Sequence, residues 1–95
     1  MKYGKHDLGI YVSGDSLYTP SEQAYYVIQF ARQEGFDVPA PDMKNIDKWS
    51  YDDMEDFGML LEDAVYYLNT NCTEDGYAFA FIDTDFRLIG GGQYE

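Results

Sequence analysis

Tyr77-Ala78-Phe79-Ala80-Phe81-Ile82, Asp83-Thr84-Asp85, Phe86-Arg87-Leu88-Ile89: this stretch decides the fold. The first run is rich in aromatic and apolar residues and reads as a strand. The Asp-Thr-Asp segment makes a tight turn, and the last four residues return as a second strand. Gly90-Gly91-Gly92 and the residues after it carry no packing signal. The chain is therefore expected to fray over 89–95.

Upstream of the hairpin, Ser50 starts a helix, with Asp53 in the capping-box position and acids crowding the first turn. Met54, Phe57, Leu61, Ala64, Val65 and Leu68 form its apolar stripe, and the helix should end near residues 69–71. An earlier helix runs from about Pro20 to Glu34. Thr19 is its cap, Ala24, Val27, Ile28 and Ala31 are its apolar face, and Gly35 is its stop, with Phe36 folding back. Between the helices, Pro39 and Pro41 prevent a regular helix. Asp42 starts a short turn through Ile46, and Met43, Ile46 and Trp49 pin the connector to the core. Near the N-terminus, Leu8, Ile10 and Val12 alternate as one face of a half-buried strand, and Gly14-Asp15-Ser16 turns the chain.

The order is therefore β-α-α-β-β. The expectation is a single α+β domain over 1–95, a small antiparallel sheet of about three strands with two helices packed on one face. Ten Tyr, six Phe and one Trp in 95 residues supply the core that a highly charged disordered chain lacks.

Charge is the strongest functional signal. Residues 50–95 carry eleven acids and only Arg87 as a base, whereas residues 1–49 sum to −2 of the total −12. Such a field repels nucleic acid and anionic membrane, and it attracts a basic groove on another protein. On a helical wheel, Asp52, Glu55, Asp56, Glu62 and Asp63 fall opposite the apolar stripe of the second helix, together with Met59, Tyr66 and Tyr67. Six acids from Asp52 to Asp63 span about 16 Å, over which duplex DNA carries roughly ten phosphates. Charge runs on helices commonly serve solubility alone. Here almost no Lys or Arg is interspersed to make the face self-supporting, and Tyr is an interface residue, so the sequence favours an interface.

No catalytic, cofactor or metal signature emerges. Asp83-Thr84-Asp85 lacks the glycine and the distal acid of a calcium loop, since Leu88 and Tyr94 stand there. His6 has no partners for a triad or a zinc site. Cys72 lies past a helix C-terminus beside Glu74 and Asp75, which raises a thiol pKa, so a small buried apolar role is expected. The triple glycine opens no helix and carries no Lys, so it is not a phosphate cradle. Asp52 and Asp53 could in principle do acid–base work, but they sit on a solvated helix start where nothing perturbs them. The expectation is a non-enzymatic protein without cofactor.

There is no apolar signal region near the N-terminus and no stretch of about twenty apolar residues. A cytoplasmic location follows as an expectation, in the host cytoplasm if the chain is phage-encoded. Short, strongly acidic, Tyr-rich and free of enzymatic motifs, the chain resembles in general profile the DNA-mimic proteins of phages and plasmids, including anti-CRISPR and anti-restriction proteins. The likeness is one of composition, and no residue role is carried over. It implies a decoy that fills the nucleic-acid groove of a basic protein or nuclease complex. Partner-binding residues would be Asp52, Glu55, Asp56, Met59, Glu62, Asp63, Tyr66 and Tyr67. An immunity or antitoxin-type inhibitor of a nuclease uses the same physics. A self-associating structural protein, paired through the hairpin edge, is the alternative of a different class. The chain itself is expected to be a monomer or weak homodimer that contacts neither nucleic acid nor membrane.

Overall fold

The computed structural model describes residues 2–14, 20–39 and 43–90, without the side chains of Pro20 and Asn45. Its ordered elements are β1 (Gly9–Val12), α1 (Pro20–Gln33), α2 (Tyr51–Asn71), β2 (Tyr77–Ile82) and β3 (Asp85–Gly90). Short 3₁₀ turns lie at Lys5–Asp7 and Met43–Lys48. This is the expected α+β order. The turn expected after β1, the Thr19 cap and residues 91–95 lie outside the described residues.

The hairpin forms as its sequence demands. β2 and β3 pair antiparallel in unbroken register from Tyr77 opposite Gly90 to Ile82 opposite Asp85. Two residues connect them, Asp83 at φ 51° and Thr84 at φ 72°. A connection with both φ values positive matches the right-handed twist of the flanking strands. Aspartate tolerates that region, whereas a β-branched threonine adopts it only under constraint. The Gln23 amide of α1 supplies one, donating to the Thr84 carbonyl. β3 extends to Gly90, so Ile89 and Gly90 belong to the ladder and not to a frayed tail. β1 pairs antiparallel with the other edge of β3, which gives the order β1-β3-β2.

Phe79, Phe86 and Leu88 point to one face of the sheet. They are buried there in one cluster with Ala24, Val27, Ile28 and Ala31 of α1 and Phe57, Ala64 and Leu68 of α2. The apolar stripes read from the two helices are thus the ones that pack. Two expectations fail. The register of β1 jumps between Ile10 and Val12, a bulge that leaves Tyr11 without a ladder partner. Tyr11 turns inward with Val12, while Leu8 and Ile10 stay exposed, Ile10 by 52%. Strict alternation assumed no extra residue, and the bulge supplies one. Met54 is also exposed. The 21 residues of α2 run about 31 Å, against about 20 Å for a six-residue strand, so its first turns overhang the core.

The helix ends are set locally. The Asp53 amide donates to Ser50 Oγ at 3.1 Å and the Ser50 amide donates to Asp53 Oδ2 at 3.0 Å, the reciprocal box read from the sequence. At the end of α1, the Phe36 amide donates to the Ala31 carbonyl and the Gly35 amide to Arg32, with Gly35 at φ 110°. This is the glycine-terminated motif that frees the chain to turn. Trp49 then packs its ring 5.3 Å from Phe57, which holds the connector to α2.

The segment before β1 is tied to the loop after α2. The Tyr3 amide donates to the Cys72 carbonyl and the Glu74 amide donates to the Tyr3 carbonyl. The Tyr3 ring joins Tyr11, Phe30 and Phe79 in edge-on contacts of 5.6–5.7 Å. Burial pushes the Tyr3 phenol up to about 12, and the Glu34 carboxylate beside it adds to the shift. Burial raises Tyr11 as well. A phenol ionises near 10 in an unfolded chain. Above that pH the unfolded state loses a proton that the folded state keeps, so this contribution is intact below about 10 and lost toward 12. Phenolate absorbance should therefore show a late-titrating class of Tyr, and urea unfolding should show stability falling across that window. Ionisation of all ten Tyr in one step near 10 would contradict it.

Among the described residues, no helix is long and apolar enough to cross a membrane.

Candidate functional site

Every α2 position that the wheel placed opposite the stripe was expected to be free. The structure exposes Asp52, Glu55, Asp56, Met59, Glu62, Asp63 and Tyr66. Met59 and Tyr66 stand 62% and 72% exposed. Seven residues apart, they lie within about 20° of one another around the helix axis. Glu55 and Glu62 flank this ridge on one side, Asp52 and Asp63 on the other. The face is thus a row of large side chains between two rows of carboxylates.

Tyr67 is not on it. Its hydroxyl donates to the Glu34 carbonyl at 3.1 Å, and its ring sits 5.6 Å from Phe36. It closes the seam between α2 and the end of α1. One step of 100° carries it from the ridge to the helix flank, where α1 waits. Asp53 is exposed, but its carboxylate is engaged in capping the helix. Among the described residues, no Lys or Arg pairs with Asp52, Glu55, Asp56, Glu62 or Asp63. Arg87, the one base of the C-terminal half, lies on the opposite face of the sheet and reaches Asp85 at 3.4 Å.

Beside the ridge runs a groove that the sequence did not announce. Leu61, Val65 and Asn69 form its floor along α2, Glu62 and Tyr66 its outer rim, and Phe81 of β2 its far wall. It is open, predominantly apolar and about 380 Å³ in volume. Phe81 belongs by alternation to the buried face of β2, yet it is 43% exposed. Sequence reasoning assigned Leu61 and Val65 to the core and Phe81 to the sheet. Between them α2 and β2 leave a gap that neither residue pattern encodes.

The same two elements cover the β2 edge of the sheet, β1 being the other edge. Asn69 Nδ2 donates to the Phe79 carbonyl at 3.0 Å, and the Phe79 amide donates to Asn69 Oδ1 at 2.6 Å. The side-chain amide stands where a fourth strand would pair. The Tyr77 amide is satisfied by the Glu74 carbonyl. Two of the alternate positions that face outward on β2 are thus occupied, which works against strand addition on that edge.

Among the described residues, no three His, Cys, Asp or Glu side chains gather in a way that could hold a metal ion. In the Asp83-Thr84-Asp85 turn, Asp85 accepts from the Gly14 amide at 2.7 Å, and this bond, with Arg87 nearby, holds its carboxyl below the usual range. It is structurally committed. Cys72 is buried, and burial together with the Glu34 charge pushes its thiol up, which is the inert state expected.

Comparison of the chain with protein-family models, with curated proteins and with solved structures finds no match.

Proposed function

We propose that this protein is a stoichiometric, non-enzymatic inhibitor that occupies the nucleic-acid groove of a basic partner protein with the exposed face of α2. The observation that carries the reading is the arrangement on that face. Five carboxylates without a cationic partner among the described residues flank Met59 and Tyr66, while the sixth, Asp53, is spent on the cap. A face built for solubility gains from interspersed bases and has no use for exposed Met and Tyr. A face built to enter a basic groove needs closely spaced negative charge, here five carboxylates over about 16 Å or about half the linear density of duplex phosphates, plus side chains able to bury area once there. The partner class is a nucleic-acid-binding protein or nuclease complex of a defence system, and the setting that of a phage or mobile element acting in the host cytoplasm.

The test is an affinity capture from a bacterial lysate that holds such systems. Wild-type bait is compared with a variant carrying Asp52→Asn, Glu55→Gln, Asp56→Asn, Glu62→Gln and Asp63→Asn, and both are eluted in salt steps. A nucleic-acid-binding protein retained by the wild type and lost by the amide variant supports the reading. Retention of the same proteins by both baits, or of none, sinks it.

A further inference from the structure

The groove between α2 and the end of β2 shares Glu62 and Tyr66 with the acidic face. We propose that it is an anchoring pocket for one large apolar side chain, Leu, Met or Phe, presented by a basic segment of the partner and flanked there by Arg or Lys. The inference rests on the functional reading above and narrows the partner within it.

Charge complementarity selects this occupant. The walls contributed by Leu61, Val65 and Phe81 are apolar, so the inserted group must be apolar. The rim is acidic at Glu62, and Glu55 lies about two helical turns from it on the same side of the ridge, so the groups around the insert must be cationic. Tyr66 is exposed at the rim, where an Arg guanidinium can stack on its ring. A second copy of this chain brings −12 to the same place and is disfavoured. Nucleic acid and anionic lipid are disfavoured for the same reason. The volume, about 380 Å³, suits a single large side chain with room to orient.

The pocket has a consequence that pure charge mimicry lacks. Exposed charge pairs weaken as salt shortens the screening length, whereas apolar burial does not. Binding should therefore retain a component that salt cannot remove.

Two fluorescent peptides test this. One is a short Arg- and Lys-rich peptide with a single central Leu, and the other replaces that Leu with Ser. Anisotropy is read at low and at high salt on the wild type, on Phe81→Ala, on Tyr66→Ala and on the five-amide variant. Melting curves establish that each is folded, and Tyr66→Ala removes a side chain that stands clear of the core. The expected result is that the wild type binds the Leu peptide about tenfold tighter than the Ser peptide, as burial of one such side chain implies. That ratio persists at high salt and falls toward one in both Phe81→Ala and Tyr66→Ala. A ratio of one on wild type, or a ratio untouched by either variant, overturns the pocket. Both peptides binding in an acid-dependent way with a ratio of one overturns the pocket alone and leaves the acidic face standing. A preserved ratio with binding unchanged in the amide variant overturns the acidic face alone. A dimer of the free chain in sedimentation, abolished by Phe81→Ala, gives the groove to a second copy and overturns the proposal.

Discussion

Asn69→Ala is expected to destabilise the protein by about 2–4 kcal/mol, the cost of leaving the Phe79 amide and carbonyl without their partner. Against a total of about 5–15 kcal/mol for a domain of this size, that is a large fraction. The side chain matters because it does two things at once. It fastens the C-terminal part of α2 to β2 and occupies the sheet edge where another strand would pair. Phe79 lies in the centre of the core, stacked 5.4 Å from Phe86, so loosening its backbone loosens the sheet beneath both helices. Urea unfolding should show the loss, and sedimentation at high salt, where self-repulsion is screened, should show association that the wild type lacks. A change below about 0.5 kcal/mol, the range of ordinary surface substitutions, with no new association, would mean that the edge is held by something else.

The five-amide variant of α2 should bind the captured partner with an association rate lowered by about 10- to 100-fold at low salt, and with a dissociation rate changed much less. The substitution removes five of the acids, which takes the net charge from −12 to −7. Steering depends on that field, and salt screens it over about 10 Å at 0.1 M. Wild-type association should therefore fall steeply as salt is added, and the two proteins should converge at high salt. The variant should also be at least as stable as the wild type at low salt, since none of the five carboxylates makes an ion pair among the described residues and all repel one another. Stopped-flow association across a salt series reads both points. Equal rates and equal salt slopes would make the acidic face a solvated surface.

What was legible in the sequence was whatever depended on periodicity and local capping. The hairpin, both helix starts, the Gly35 stop and the core stripe through Phe57, Ala64 and Leu68 all stand where the residue pattern put them. The free carboxylates of α2 were legible for the same reason, because a helical wheel fixes direction once one face is known to be buried. Errors arose where one element meets another. Tyr67 lies close enough to the exposed side on a wheel to be counted there, and only the end of α1, with its Glu34 carbonyl, pulls it into a seam. The bulge at Tyr11 inverts the expected face of Leu8 and Ile10, and alternation has no symbol for an inserted residue. The groove walled by Phe81 lies between α2 and β2, a relation between two elements that neither encodes alone. Asn69, at the end of a helix, read as a terminus residue; its role as a surrogate strand required knowing that β2 is the edge.

The most direct measurement of the central claim is competition on the captured partner. The partner is loaded with labelled nucleic acid, and release is followed as this protein is titrated in. Stoichiometric displacement by the wild type is expected, weakened by the five amide substitutions and by rising salt. Binding that leaves the nucleic acid in place, as a ternary complex, or displacement that the amide variant performs equally well, would contradict it.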